Sequence, residues 1–172
     1  MERSKNSSWK LLVVRLSISL ALIAFLIFIV DRISKIYVIN LDKKFPGSEI
    51  FASKYLNINL IWNEGIAFGL LSFDQENLYN LLTILIILII LIIFRMTLKS
   101  SGLKKIALMM ILGGALGNVI DRILYKAVPD FIDFHIGNFH WFIFNIADIF
   151  ITLGVIFMIL LEMTDKTNNS NI

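Results

Sequence analysis

Asp130, in Val128-Pro-Asp-Phe131, and Asp148, in Phe144-Asn-Ile-Ala-Asp148, sit beside and inside long apolar sequence. A charged side chain at the centre of a bilayer costs roughly 2.5 to 3.5 kcal/mol on insertion scales, so a carboxylate at membrane depth is a functional candidate with a partner to find. Each of these two is a natural partner for the other. Two carboxyl groups at close range cannot both ionise and come to share one proton. One can then act as general base on water and the other as general acid, which is the chemistry of peptide hydrolysis without a metal or a covalent intermediate. On spacing alone an alternative stays open, in which Asp130 is a turn residue and Asp148 a structural hydrogen-bonder.

Polar neighbours cluster around the pair. Asn145 and Asp148 are three apart and share a helical face, so the amide can orient the carboxylate. Gly113-Gly-Ala-Leu-Gly-Asn-Val-Ile-Asp-Arg122 brings Asn118, Asp121 and Arg122 to neighbouring positions at helical spacing, while Gly113 and Gly117 form a small-xxx-small pair for close helix packing. The plain reading of that segment is a packing seam ending in an interfacial ion pair. Pro129 argues against helix around Asp130 and places it in a connecting loop.

The elements that must position these groups are membrane spans. Of 172 residues, 58% are hydrophobic and only 17% charged, against about 25% charged in ordinary globular domains. The chain therefore reads as an integral membrane protein, residues 1–165 forming one membrane-embedded domain and 166–172 a disordered polar tail. A net charge of +3 on scattered basic residues gives no footing for nucleic acid. The absence of cysteine excludes disulfides, thiolate metal sites and a cysteine nucleophile.

Four runs are long enough to cross a bilayer, at about 11–30, 78–94, 106–123 and 141–161. The basic start followed by an apolar run is read as a first span, with Arg15 snorkelling, rather than as a cleaved signal peptide. Arg3, Lys5, Lys10 and Arg15 at one end, and Arg95, Lys99, Lys104 and Lys105 between spans two and three, orient both segments to the cytoplasm. Asn118, Asp121 and Arg122 then reach the outer interface, and Asn145 and Asp148 lie just below it. A helix starting at Trp141 puts Asp148 on the order of 10 Å inside.

The first outer segment alternates Leu56, Ile58, Leu60 and Trp62 with Asn57 and Asn59, the period of a half-buried strand in a small sheet on the outer surface. Asn63-Glu-Gly65-Ile-Ala-Phe68 follows as a turn that could receive an extended peptide. Asp31 and Lys35 at the end of span one have the i, i+4 spacing of a helical ion pair, with substrate contact as the sharper reading.

Other candidates carry less. His135 and His140 lack the His-Glu-x-x-His spacing of a helical zinc site and read as surface or interfacial residues. Ser34 and Lys35 are helix neighbours that do not face each other, and Ser72 has no evident base. Asp133 could be a decoy or an alternative member of the pair.

Taken in order, Asp31-x-x-x-Lys35, Asn63-x-Gly-x-Ala-Phe68, Gly113-Gly-x-x-Gly-Asn-x-x-Asp-Arg122, Val128-x-Asp-Phe131 and Phe144-Asn-x-Ala-Asp148 resemble the signature segments of the bacterial lipoprotein signal peptidase family, signal peptidase II, over nearly the whole chain. The resemblance implies a mainly α membrane enzyme of four transmembrane helices with a small extracytoplasmic β-element between the first two, both termini in the cytoplasm, in the bacterial cytoplasmic (inner) membrane. It implies an aspartic endopeptidase that acts as a monomer on lipid-modified prolipoproteins in membrane lipid, cutting before the diacylglyceryl cysteine with no cofactor or metal. By motif, Asp130 and Asp148 are its catalytic pair, with Asn118, Asp121, Arg122 and Asn145 around them, Asn63 and Gly65 in the outer element, and Asp31 and Lys35 in support. Pro129 stands where the family often has an aliphatic residue, and Ile143 where a proline is common. The competing reading is a non-enzymatic four-helix protein, a proton or cation transporter or an assembly factor, that uses the same buried aspartates. A metal-dependent intramembrane protease would lack ligand-spaced histidines.

Overall fold

A computed structural model describes the backbone of residues 2–65 and 76–170 and the side chains of residues 21–65 and 79–165. Its elements run α1 (Glu2–Lys44), β1 (Phe51–Ala52), β2 (Leu56–Asn63), α2 (Glu76–Lys99), α3 (Gly102–Tyr125), β3 (Val128–Ile136), β4 (Phe139–Phe144) and α4 (Ile146–Ser170). Three helical segments among the described residues are long and apolar enough to cross a membrane: Tyr79–Lys99, Gly102–Tyr125 and Ile146–Asp165. The side chains of the first expected span, 11–30, lie partly outside the described residues. The backbone of α4 continues to Ser170, into the polar tail.

Helix α3 is the hub, packed against α1, α2 and α4. Its glycines make that possible. A Cβ on Gly113 would meet the Ala24 carbonyl oxygen of α1 at 2.6 Å, and one on Gly117 would collide with the Asp31 carboxylate. One on Gly114 would meet the Ala147 carbonyl oxygen of α4 at 2.5 Å. Without a hydrophobic drive between helices in lipid, such close backbone approach is what association has to work with. By contrast α2 turns Leu81, Ile84, Leu85, Leu88, Leu91 and Ile92 outward, in keeping with a lipid-facing span.

Two connections combine into one antiparallel sheet of order β1-β2-β3-β4. Residues 56–63 form β2, the strand the sequence predicts, but a bulge between Ile58 and Ile61 breaks the expected alternation and leaves Trp62 exposed. Its partners β3 and β4 come from the connection between α3 and α4, where the sequence reading placed a loop and the start of a span. Asp130 is therefore a strand residue, not a loop residue. Pro129 fits β3 because β4 pairs only from Ile132 onward, so at Pro129 the strand has β2 alone beside it and no ladder donor is lost on the other side.

The fourth helix likewise begins at Ile146 instead of Trp141, because Phe139–Phe144 is β4. A short apolar, aromatic run reads equally as helix or strand by hydropathy. The hairpin turn at Gly137-Asn138, with Gly137 at φ 60°, is the signal that separates the two. As a result Asp148 occupies the first turn of α4 rather than a position 10 Å deep in it.

Helix α1 runs past its expected end at Val30 to Lys44, so Asp31 and Lys35 are interior to the helix. Gly114→Val should lower stability by about 1–3 kcal/mol through overpacking against Ala147 and Ile151. Denaturation in detergent, with Leu124→Ala on the exposed face as a near-neutral control, checks this.

Candidate active site

Asn145 starts the site because it starts a helix. As N-cap of α4 its Oδ1 accepts the Asp148 backbone N–H (3.1 Å), while Asp148 Oδ2 accepts the Asn145 backbone N–H (3.2 Å). This is a capping box, closed here by Asn and Asp. It fixes Asp148 in the first turn, where the helix dipole favours a negative charge.

With its oxygen committed to an N–H, Asn145 must present its amide hydrogens the other way, and Nδ2 donates to Asp130 Oδ1 at 2.6 Å. The same logic recurs twice. Asn63 Oδ1 accepts the Gly65 N–H (2.9 Å), and its Nδ2 donates to Asp130 Oδ2 (2.8 Å). Asn118 Oδ1 accepts from Lys35 Nζ (2.7 Å), and its Nδ2 donates to Asp148 Oδ1 (2.8 Å). Lysine and backbone N–H groups can only donate. Each of the three amides is thus locked in one orientation and aimed at a carboxylate.

Behind Asn118 lies a fully buried ion cluster. Lys35 Nζ is 2.8 Å from Asp31 Oδ2 and 2.8 Å from Asp121 Oδ2, and Arg32 also pairs with Asp121. Asp31 Oδ1 in turn accepts the Ala147 N–H of α4 (2.9 Å). Asp31, Lys35 and Asp121 are all 0% exposed, so their contacts are internal and the substrate-contact reading of Asp31 and Lys35 has no surface to act through. Asp121 pairs with α1, not with its neighbour Arg122. Arg122 instead donates through Nη2 to the Gly65 carbonyl oxygen (2.6 Å), holding the turn that carries Asn63.

Asp130 and Asp148 line one cavity of about 200 Å³ together with Asn63, Asn118 and Arg122, closed on its apolar side by Ile86, Ala115, Val128 and Ile151. Burial, and next the charge of Asp148, push the Asp130 carboxyl up to about 6, against the pull of the Asn63 and Asn145 amides toward the ionised form. Strand alternation turns Asp133 away from Asp130, and it binds His140 Nδ1 at 2.8 Å instead. Ile66, Ala67 and Phe68 of the turn motif lie outside the described residues.

Fold and site together define a membrane-embedded protease of the aspartic type. Residues 23–164 match the family model described as signal peptidase (SPase) II, and the chain belongs to that family. It is 49% identical over 152 residues to the lipoprotein signal peptidase of Pelagibacter ubique (strain HTCC1062), covering 87% of this chain and 92% of that one. With the lipoprotein signal peptidase of Anaplasma phagocytophilum (strain HZ) it shares 37% over 154 residues, 89% of this chain and 97% of the other. A bacterial membrane enzyme solved by the in meso method at 2.3 Å resolution superposes with a TM-score of 0.69 at 35% identity, covering 87% of this chain and 90% of that one. A second, at 1.9 Å resolution, gives 0.66 at 31% identity, with coverage of 86% and 94%. Family membership sets aside the non-enzymatic reading.

Lys35→Met should cost about 3–5 kcal/mol, because it leaves Asp31 buried without its close cation and Asp121 with Arg32 alone. Unfolding midpoints of the purified variant in detergent check the value, and a loss below 1 kcal/mol would show the cluster to be solvated.

Proposed function

We propose that the chain is a single membrane-embedded peptidase that removes the signal peptide from diacylglyceryl-modified prolipoproteins just before the lipidated cysteine, with Asp130 and Asp148 as its catalytic pair. The observation that carries this reading is the convergence of three pre-oriented amides, Asn63, Asn118 and Asn145, on two carboxylates lining one cavity. A site for peptide hydrolysis needs such preorganisation, since fixed donors need not reorganise as charge moves in the transition state.

The pair holds one proton between two carboxyl groups. The ionised one takes a proton from a water molecule, whose oxygen attacks the scissile carbonyl carbon, and the protonated one gives its proton to the carbonyl oxygen. In the collapse of the tetrahedral diol the carboxyl protonated by water gives that proton to the leaving nitrogen, the other carboxylate takes a proton back from a diol hydroxyl, and the C–N bond breaks, which restores the single shared proton. A signal peptide enters as a membrane helix and must unwind to offer that bond, which is tolerated only where it is buried in protein or lines a wet cavity. Beside Asp148, an apolar trough of Trp141, Phe142, Phe144, Ile149, Thr152 and Leu153 suits the substrate's acyl chains.

The orientation follows from the basic segments: four spans, termini in the cytoplasm, and the site near the extracytoplasmic face of the bacterial cytoplasmic membrane. Both carboxylates and their amides come from one chain, which supports action as a monomer, and hydrolysis by such a pair calls for no metal.

Asp130→Asn and Asp148→Asn should each give a folded, membrane-inserted protein with no detectable release of the signal peptide from a lipidated precursor, followed by size on a gel. Full cleavage by either variant refutes the pair; a chelator should leave the wild-type rate unchanged. The pair should also set a pH limb. Deprotonation of Asp130 at about 6 removes the shared proton, so kcat/KM falls as pH rises through that value. Asn63→Ala deletes a donor that favours the ionised carboxylate, raises that pKa and moves the limb to higher pH. A limb that stays put or moves down contradicts the assignment.

A further inference from the structure

The chain's only two histidines, His135 and His140, face each other directly across the β3–β4 ladder. Their rings stack with centroids 5.1 Å apart and planes at 24°. Asp133, two residues before His135, shares its face of β3 and reaches His140 Nδ1 with Oδ2 at 2.8 Å and Oδ1 at 3.0 Å. One ligand atom from each of the three residues lies within 4.8 Å of the others. A plain Asp–His ion pair would account for His140 alone. It leaves His135 unexplained: this imidazole is 9% exposed, yet its Nδ1 has no hydrogen-bond partner among the described residues. A buried polar atom left unpaired costs about 1–3 kcal/mol.

We infer that Asp133, His135 and His140 form a binding site for a divalent transition-metal ion, with zinc the best fit. Two imidazoles and one carboxylate are a donor set for zinc, copper or nickel rather than for magnesium or calcium, which take oxygen ligands. Zinc bonds of about 2.0–2.2 Å place tetrahedral donors roughly 3.3 Å apart, within reach of side-chain rotation alone. The ion would give the His135 nitrogen its missing partner. The His140 side chain, 53% exposed, leaves an entry route and an open fourth position. The tight turn at Gly137 fixes the two strands, so the three donors are held before any ion arrives. Helical spacing rules hide this site in the sequence, since cross-strand partners around a hairpin are five apart rather than four.

The trio lies on the face of β3 opposite to Asp130, apart from the cavity where peptide is cut. A bound ion there staples β3 to β4 and stiffens the strand that carries Asp130.

Tag-free, full-length protein in detergent micelles, titrated with Co²⁺ and read by its d–d absorption, should bind about one equivalent, displaced by Zn²⁺. Zn²⁺ should raise the melting temperature of the wild type. His140→Ala removes an exposed ligand that is also the partner of buried Asp133, so its metal-free melting temperature falls; it should keep the cleavage of a lipidated precursor, but weaken metal binding by roughly ten-fold or more and lose the zinc-induced shift. His135→Ala should lose the absorption bands as well. Absent cobalt bands in the wild type, or bands and a zinc shift that persist in His140→Ala, would overturn the assignment.

Discussion

Lys35 is the residue on which the polar architecture rests. A single ammonium, wholly buried, holds the carboxylates of Asp31 and Asp121 and the oxygen of Asn118. Remove that cation and Asp31 loses its close positive partner where water does not reach, Asp121 is left with Arg32 alone, and the amide of Asn118 is free to turn its oxygen toward Asp148. The cluster thus acts at two ranges. It ties α1 to α3, and through the Asp31 bond to the Ala147 N–H it ties α1 to the start of α4. It also sets which end of the Asn118 amide the Asp148 carboxylate meets.

Each amide around the pair repeats that economy. Asn63, Asn118 and Asn145 spend their oxygens on a backbone or lysine N–H and their hydrogens on a carboxylate. Asn145 goes furthest, since it caps α4, accepts from Asp148 and donates to Asp130, and so fixes one carboxylate relative to the other. Glycines make the network possible. At Gly117 the space a methyl group would fill is taken by the Asp31 carboxylate. The packing seam and the polar network are therefore one feature of α3, with backbone contact on one turn and ion pairing on the next.

How far the sequence reaches depends on the range of the interaction. Apolar length marked the spans near 78–94 and 106–123, because hydropathy over about 20 residues is a local property. Alternation marked β2 for the same reason. The hairpin of β3 and β4 is less visible: Phe139–Phe144 is apolar on both parities, so nothing in its period distinguishes a strand from the opening of a helix, and Pro129 points Asp130 to a loop. The cue that separates the two is the Gly137-Asn138 turn. The ion pair of Asp31 and Lys35 was legible as an i, i+4 pair, but its extension to Asp121 and Asn118 joins residues 83 positions or more apart and leaves no trace in spacing.

By itself the sequence determined a cysteine-free membrane chain and singled out Asp130 and Asp148 as carboxylates in need of partners, with asparagines near them, because charge in an apolar run has to have a use. Only the tertiary structure decided how that chemistry is held. How each amide is oriented, which aspartates serve the cation cluster rather than the cavity, and that Asp133 meets His140 instead of Asp130, all depend on distant segments meeting at one place. Hydrogen bonds act over about 3 Å, and contacts of that range between distant segments exist only once the backbone has brought them together.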